Sequence, residues 1–68
     1  MFYIKYIIKP DFVVFLKQYD LNNDYYFTTD FDKKKLFSSR EICLDIINFL
    51  VKYKSRIFEN CEVVSLDA

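Results

Sequence analysis

The chain contains no glycine, and this absence limits both its turns and its chemistry. Glycine supplies positive-φ backbone in tight turns and the close phosphate approach of the P-loop and the dinucleotide-binding fingerprint. Neither nucleotide-binding motif can therefore be built in its usual form. Asparagine tolerates positive φ better than most residues, so Asn22-Asn23 is predicted to form a hairpin turn.

The chain also has no histidine, which removes the base of Ser-His-Asp and Cys-His catalytic sites. Asp20, Asn22 and Asp24 alternate as at the start of a calcium-binding loop. However, Tyr25 stands where that loop needs its sharp-turn glycine, and Phe31 where it needs the closing glutamate. The sequence therefore predicts a protein that is not an enzyme, with no catalytic, cofactor-binding or metal-binding residues.

Length and composition predict one small folded domain over residues 1–68. Hydrophobic residues make up 53% of the chain and aromatic residues 21%, enough for large rings to form a core in a short chain. The formal net charge is zero, which argues against a general attraction to nucleic acid or to an anionic membrane. No targeting signal or membrane-spanning apolar run is recognisable, so a cytoplasmic protein is expected.

The two cysteines, Cys43 and Cys61, are too few for a disulfide framework and fit no zinc-site spacing. Free cysteine commonly behaves as a small buried hydrophobic residue. Both are therefore predicted to be reduced, buried thiols.

Three strands are predicted before residue 30. Residues 2–9 alternate, with Phe2, Ile4, Tyr6 and Ile8 on one face, as in a half-buried strand. Pro10-Asp11 interrupts this pattern as a turn does. The β-branched and aromatic stretches 12–19 and 25–29 are predicted as the second and third strands.

A helix and a short closing strand are predicted to follow. Ser38 and Glu41 have capping-box spacing, and Phe37 and Ile42 have hydrophobic-staple spacing. These signals predict a helix from Ser39 to about residue 54, and residues 61–66 read as a strand. The fold class is thus α+β, a three-stranded antiparallel meander followed by one amphipathic helix and a C-terminal strand (β-β-β-α-β).

The predicted helix has a wide apolar stripe. Its members are Ile42, Cys43, Ile46, Ile47, Phe49, Leu50, Tyr53 and Ile57. Leu44 and Val51 are seven residues apart, so they align on the flank of this stripe and are predicted to be partly accessible. The flank is either the ordinary edge of a core or a surface for a partner or a second copy.

A basic cluster lies between the third strand and the helix. It consists of Lys33, Lys34, Lys35 and Arg40. With Tyr25 and Tyr26 as stacking platforms, it could bind nucleic acid. Asp30 and Asp32 cancel much of its field, so a solvated connection is the favoured interpretation.

One resemblance adds to this reading. Residues 26–30 (YFTTD), the lysines at 33–35, and Leu36-Phe37-Ser38 before a helix resemble short uncharacterised accessory proteins of phages and prophages in AT-rich, low-GC bacteria. The resemblance carries over no catalytic residues. It implies a compact protein that inhibits host defence, such as an anti-CRISPR protein.

The sequence thus predicts a non-enzymatic, phage-type protein in the bacterial cytoplasm that binds and inhibits a host protein or a protein–RNA defence complex. The alternatives are a small nucleic-acid-binding protein that uses the lysine cluster, and a structural module that self-associates, with a homodimer as one form of such association. The candidate partner-binding residues are Leu44, Val51, Tyr25, Tyr26, Lys33, Lys34, Lys35 and Arg40.

Overall fold

The structure, a computed structural model, describes residues 1–20, 22 and 24–66. Within these residues the fold is a four-stranded antiparallel sheet and one α-helix, which confirms the predicted α+β class. The elements are β1 (Phe2–Lys9), β2 (Phe12–Tyr19), β3 (Tyr25–Thr28), a first 3₁₀ helix (Phe31–Lys33), α1 (Arg40–Tyr53), a second 3₁₀ helix (Arg56–Asn60) and β4 (Cys61–Ser65). The strand order across the sheet is β3-β2-β1-β4, so the C-terminal strand pairs with the N-terminal one.

The hairpin between β2 and β3 is closed by an aspartate instead of a glycine. The Asp20 carboxylate accepts hydrogen bonds from the backbone N–H groups of Asn22 at 2.9 Å and Asp24 at 3.2 Å. The Asp20 N–H also donates to the Asp24 carbonyl. Asn22 lies in a turn as predicted, whereas Asn23, the other half of that prediction, lies outside the described residues.

The connection between β3 and α1 becomes part of the sheet. Phe37 exchanges both backbone hydrogen bonds with Phe2, each at 2.8 Å, and the Lys35 N–H donates to the Leu16 carbonyl. The direct pairing of β1 with β2 ends at Lys5 and Phe15. Residues 35 and 37 therefore bond to β2 and β1 beyond the point where these two strands stop pairing with each other. Lys35 itself stays exposed, as predicted for a solvated connection.

The helix cap lies one residue later than predicted, and the helix begins at Arg40 instead of Ser39. Ser39, in extended conformation, is the N-cap, and its hydroxyl oxygen accepts from the N–H groups of Glu41 and Ile42. The predicted Ser38 cap is wrong because the two bonds between Phe37 and Phe2 keep Phe37 in the sheet, the chain then bends at Ser38, and the extended residue Ser39 makes the capping bonds. The predicted staple is wrong as well, because Phe37 is buried while Ile42 is 45% exposed.

The core lies between α1 and one face of the sheet. Four helix residues face it, namely Cys43, Ile46, Ile47 and Leu50. They pack with Ile4 and Leu16, both of which are fully buried. The predicted stripe is too wide, since Ile42, Tyr53 and Ile57 are exposed; Ile57 also lies beyond the end of the helix.

Phe58 in the second 3₁₀ helix extends this core to rings of β1 and β3. Its ring stacks on Phe27 at 5.7 Å and meets the edges or tilted faces of Tyr6 and Tyr25 at 5.3 Å and 5.5 Å. Aromatic pairs of this kind stabilise a core beyond the area they bury. The segment after the helix is thereby anchored by one side chain.

Candidate interaction surface on the open face of the sheet

The second face of the sheet carries apolar side chains that α1 does not cover. Strand pairing joins Ile7 to Val13 and Tyr3 to Val64, so each pair shares this face, which is opposite Ile4. We call the surface formed by Tyr3, Ile7, Val13, Phe15, Phe31 and Val64 the outer face. Tyr3 is only 9% exposed, but the other five remain half-buried or exposed. The solvated face of an antiparallel sheet is commonly polar, so an apolar one marks a possible contact surface.

Phe31 holds the first 3₁₀ helix against the outer face. Its ring meets Tyr3 at 5.4 Å and Phe15 at 5.2 Å, both edge-to-face. Asp30 caps this short helix by accepting from the Asp32 N–H, which fixes the position of the ring. Phe31 still exposes 43% of its surface, so it covers Tyr3 while presenting an aromatic surface of its own.

Lys34 is engaged in the same cluster. Its ammonium nitrogen lies 3.6 Å from the centroid of the Phe31 ring and donates to the Phe31 carbonyl at 3.0 Å. A cation over an aromatic face is attracted by the ring quadrupole. The Lys34 side chain therefore packs over the aromatic cluster, whereas the sequence predicted a solvated lysine.

The other basic residues of the cluster point elsewhere. Lys33, Lys35 and Arg40 are exposed, but the Lys35 ammonium lies 5.6 Å from the Phe37 ring centroid, on a different aromatic side chain from Lys34. Arg40 is the first residue of α1. The four cationic side chains are thus distributed along the segment from Lys33 to the start of α1, and they do not form one compact patch on the outer face.

The two neighbouring tyrosines lie on opposite faces. Tyr25 is half-buried against Phe58 on the core side, so it is not a free platform for stacking a base. Tyr26 is 56% exposed and pairs with Gln18. It lines an open depression of about 440 Å³, beside the irregularity in β2, whose lining residues are Lys17, Gln18, Tyr26, Phe27 and Thr28.

The helix flank forms a separate surface. Leu44 is 40% exposed, while Val51 is half-buried and packs against the core. Both belong to α1, on the side of the sheet opposite the outer face. The eight predicted partner-binding residues are therefore spread over several surfaces, with Tyr26 and Lys34 on the sheet side and Leu44 and Val51 on the helix side.

The thiols do not belong to an exposed nucleophilic site. Both thiols are free; Cys43 is fully buried as predicted, whereas the prediction of a buried Cys61 is wrong, since that residue is half-buried. Burial raises the pKa of Cys43, and it raises the pKa of Cys61 to about 12, so both stay protonated at neutral pH. In the part of the chain that the structure describes, no group of three His, Cys, Asp or Glu side chains is placed to hold a metal ion.

Sequence reasoning missed the outer face, although part of the signal was present. β2 is apolar at consecutive positions, Val13 to Leu16, as in a strand covered on both faces. Tyr3 and Ile7 add apolar residues to the second face of β1. Phe31 carried no such signal because it lies in the short 3₁₀ helix after the third strand, outside any periodic pattern.

The chain matches no known protein family, no curated protein and no solved structure. Among the described residues, no helix is both long enough and apolar enough to cross a membrane. Inference about function therefore depends on the surfaces described above.

Proposed function

We propose that this chain is a non-enzymatic protein-binding domain that docks its outer face onto another protein. The supporting observation is the apolar part of the sheet face opposite α1, where Ile7, Val13 and Phe15 are half-buried and Phe31 is exposed. The Lys5–Glu62 ion pair lies on the same face, because Lys5 pairs with Phe15 across the strands. Partly exposed aromatic side chains are the usual anchors of protein interfaces, because they bury large area at low entropic cost. The neighbouring Lys17, Gln18 and Tyr26 supply a polar rim.

The specific role that we propose is inhibition of a host defence protein, as in an anti-CRISPR protein acting in the bacterial cytoplasm. It is supported by the resemblance to phage accessory proteins and by a binding surface that requires no catalytic group. An inhibitor can act by occupying a surface of its target, and an apolar face with a polar rim is suited to that task.

The outer face can be tested with a charge-neutral double variant, Ile7→Lys with Val13→Glu. These residues are direct cross-strand partners, so the new side chains form an opposite-charge pair that is compatible with the strand pairing. A matched control, Asn48→Lys with Asn60→Glu, adds the same charges at exposed positions on the helix side. Thermal unfolding of all three proteins establishes that each is folded.

We expect wild type and control to recover the same stoichiometric protein from a low-GC bacterial lysate, and the outer-face variant to lose it. In a host with an active CRISPR system, wild type and control should then restore phage plating while the variant does not. Equal recovery by all three proteins would contradict binding through the outer face. Recovery that disappears on nuclease treatment would instead favour the nucleic-acid alternative.

A further inference from the structure

β4 is an edge strand that lacks most of the features that normally protect a sheet edge. It contains neither lysine nor proline and pairs with β1 in an uninterrupted register from Cys61 to Ser65. The other edge, β3, has only four residues and pairs with β2 through an irregularity between Leu16 and Gln18. Lysines, prolines, bulges and very short strands are the common devices against edge pairing. The β4 edge is thus the less protected of the two.

The hydrogen-bonding pattern identifies the groups at this edge. The Leu66 N–H donates to the Met1 carbonyl at 2.8 Å. Backbone groups alternate in direction along a strand, so the N–H and C=O groups of the even-numbered residues of β4 face β1. Alternation then directs the N–H and C=O of Val63 away from the sheet. Val63 is the middle one of the three outward positions of β4, and the Cys61 N–H beside it already donates to the Phe58 carbonyl.

We propose that two copies of this chain pair antiparallel through their β4 edges about a twofold axis at Val63. Each Val63 then exchanges both backbone hydrogen bonds with its counterpart, and the two sheets become one of eight strands. In this register Glu62 lies opposite Val64 of the other copy, so the two carboxylates do not face each other directly. Like charges directly opposite would destabilise the pair.

The charges around the edge also favour a second copy. Glu62 is the only charged residue of β4, and the Lys5 ammonium lies 3.5 Å from its carboxylate. The whole chain has zero net charge, so two copies approach without mutual repulsion. An interface between identical surfaces requires such neutrality at its centre.

The helix supplies apolar area beside the same edge. Phe49 contacts Tyr19 at the end of β2, which places that flank of α1 towards β2. A helix turns about 100° per residue, so Leu44 and Val51 lie on the opposite flank, towards β4. Pairing at Val63 brings Leu44 close to the other copy. On the opposite side of the sheet, the same pairing places the outer faces of the two copies side by side. The proposal stands independently of what the outer face binds.

The first test measures association and amide exchange of the wild-type protein together. We expect sedimentation equilibrium to show a monomer–dimer equilibrium, and exchange of the Val63 amide hydrogen to slow as concentration rises. The Phe27 amide is the internal control, since strand alternation directs it away from β2 at the other edge. A monomer up to millimolar concentration, or Val63 exchange independent of concentration, would overturn the proposal. A dimer that protects Phe27 and not Val63 would overturn it too.

The second test uses Val63→Pro, which removes the outward N–H at a position where an edge strand tolerates proline. Two hydrogen bonds are lost in each dimer, so we expect the dissociation constant to rise about thirtyfold (about 2 kcal/mol). Val63→Thr keeps the N–H and the branched side chain and should dimerise like wild type. Unchanged dimerisation of a folded Val63→Pro protein would contradict pairing at this edge. If that variant does not fold, amide exchange in the wild type decides the question.

Discussion

Two adjacent serines precede α1, and tertiary contact selects between them. Ser38 has the better sequence signature, with Glu41 three residues later, yet Ser39 makes the capping bonds. The selection depends on the backbone pairing of Phe37 with Phe2, which is distant in sequence. A local motif could therefore locate the helix start to within one residue and no better.

The Ser39 cap can be measured by alanine substitution. We expect Ser39→Ala to lower the free energy of unfolding by about 1 kcal/mol, because two helix N–H groups lose their acceptor. Ser38→Ala should change it very little, because Ser38 is exposed and the helix cap is at Ser39. Urea unfolding of both variants makes the comparison, and a larger loss at Ser38 would contradict the observed cap.

Glu41 provides an independent measurement of the same cap. Its own backbone N–H and the Ser39 hydroxyl, which donates to its carboxylate at 3.0 Å, lower the Glu41 pKa below 4.5. A lowered folded-state pKa stabilises the fold above the unfolded-state pKa, and that contribution is lost as pH falls through the folded-state value. We expect NMR titration to show the Glu41 pKa rising towards 4.5 in Ser39→Ala. An identical pKa in both proteins would show that the hydroxyl does not interact with Glu41 in solution.

At the scale of elements, the strands were predictable and the 3₁₀ helices were not. Residues 2–9 and 12–19 match β1 and β2, since alternation and the Pro10-Asp11 turn are local signals. The third strand ends one residue before its predicted end, at Thr28. The 3₁₀ helices are each held by one phenylalanine that meets rings from other strands, and such contacts leave no periodic pattern in the sequence.

The two phenylalanines should differ in their effect on stability. Phe58 is buried among three rings, so Phe58→Ala should cost about 3–5 kcal/mol. Phe31 already exposes much of its ring, so Phe31→Ala should cost clearly less and leave the fold intact. Denaturant unfolding with circular dichroism compares the two variants. Equal losses would mean that the first 3₁₀ helix is as integral to the core as the second.

At the scale of the whole molecule, the sequence predicted which residues form the core better than which surfaces are available. The helix residues Ile46, Ile47 and Leu50 are buried as expected, because their spacing is fixed by the helix itself. The outer face arises only when β1, β2, β4 and Phe31 of the first 3₁₀ helix come together. Its members are separated by up to about sixty positions, beyond the reach of any periodicity argument.

The distribution of charge over the molecule leads to a prediction about nucleic acid. The zero net charge provides no general attraction to phosphate, the Lys34 ammonium is held over the Phe31 ring, and Asp30 and Asp32 shortly precede Lys34 in the sequence. We therefore expect no salt-sensitive binding of labelled single- or double-stranded DNA or RNA at micromolar protein, measured by fluorescence anisotropy. A protein that neutralises several phosphates releases counterions, so its affinity falls steeply with salt. A tight complex with that dependence, lost when Lys33, Lys34 and Lys35 are changed to Ser in a folded variant, would make nucleic-acid binding the better account of this surface.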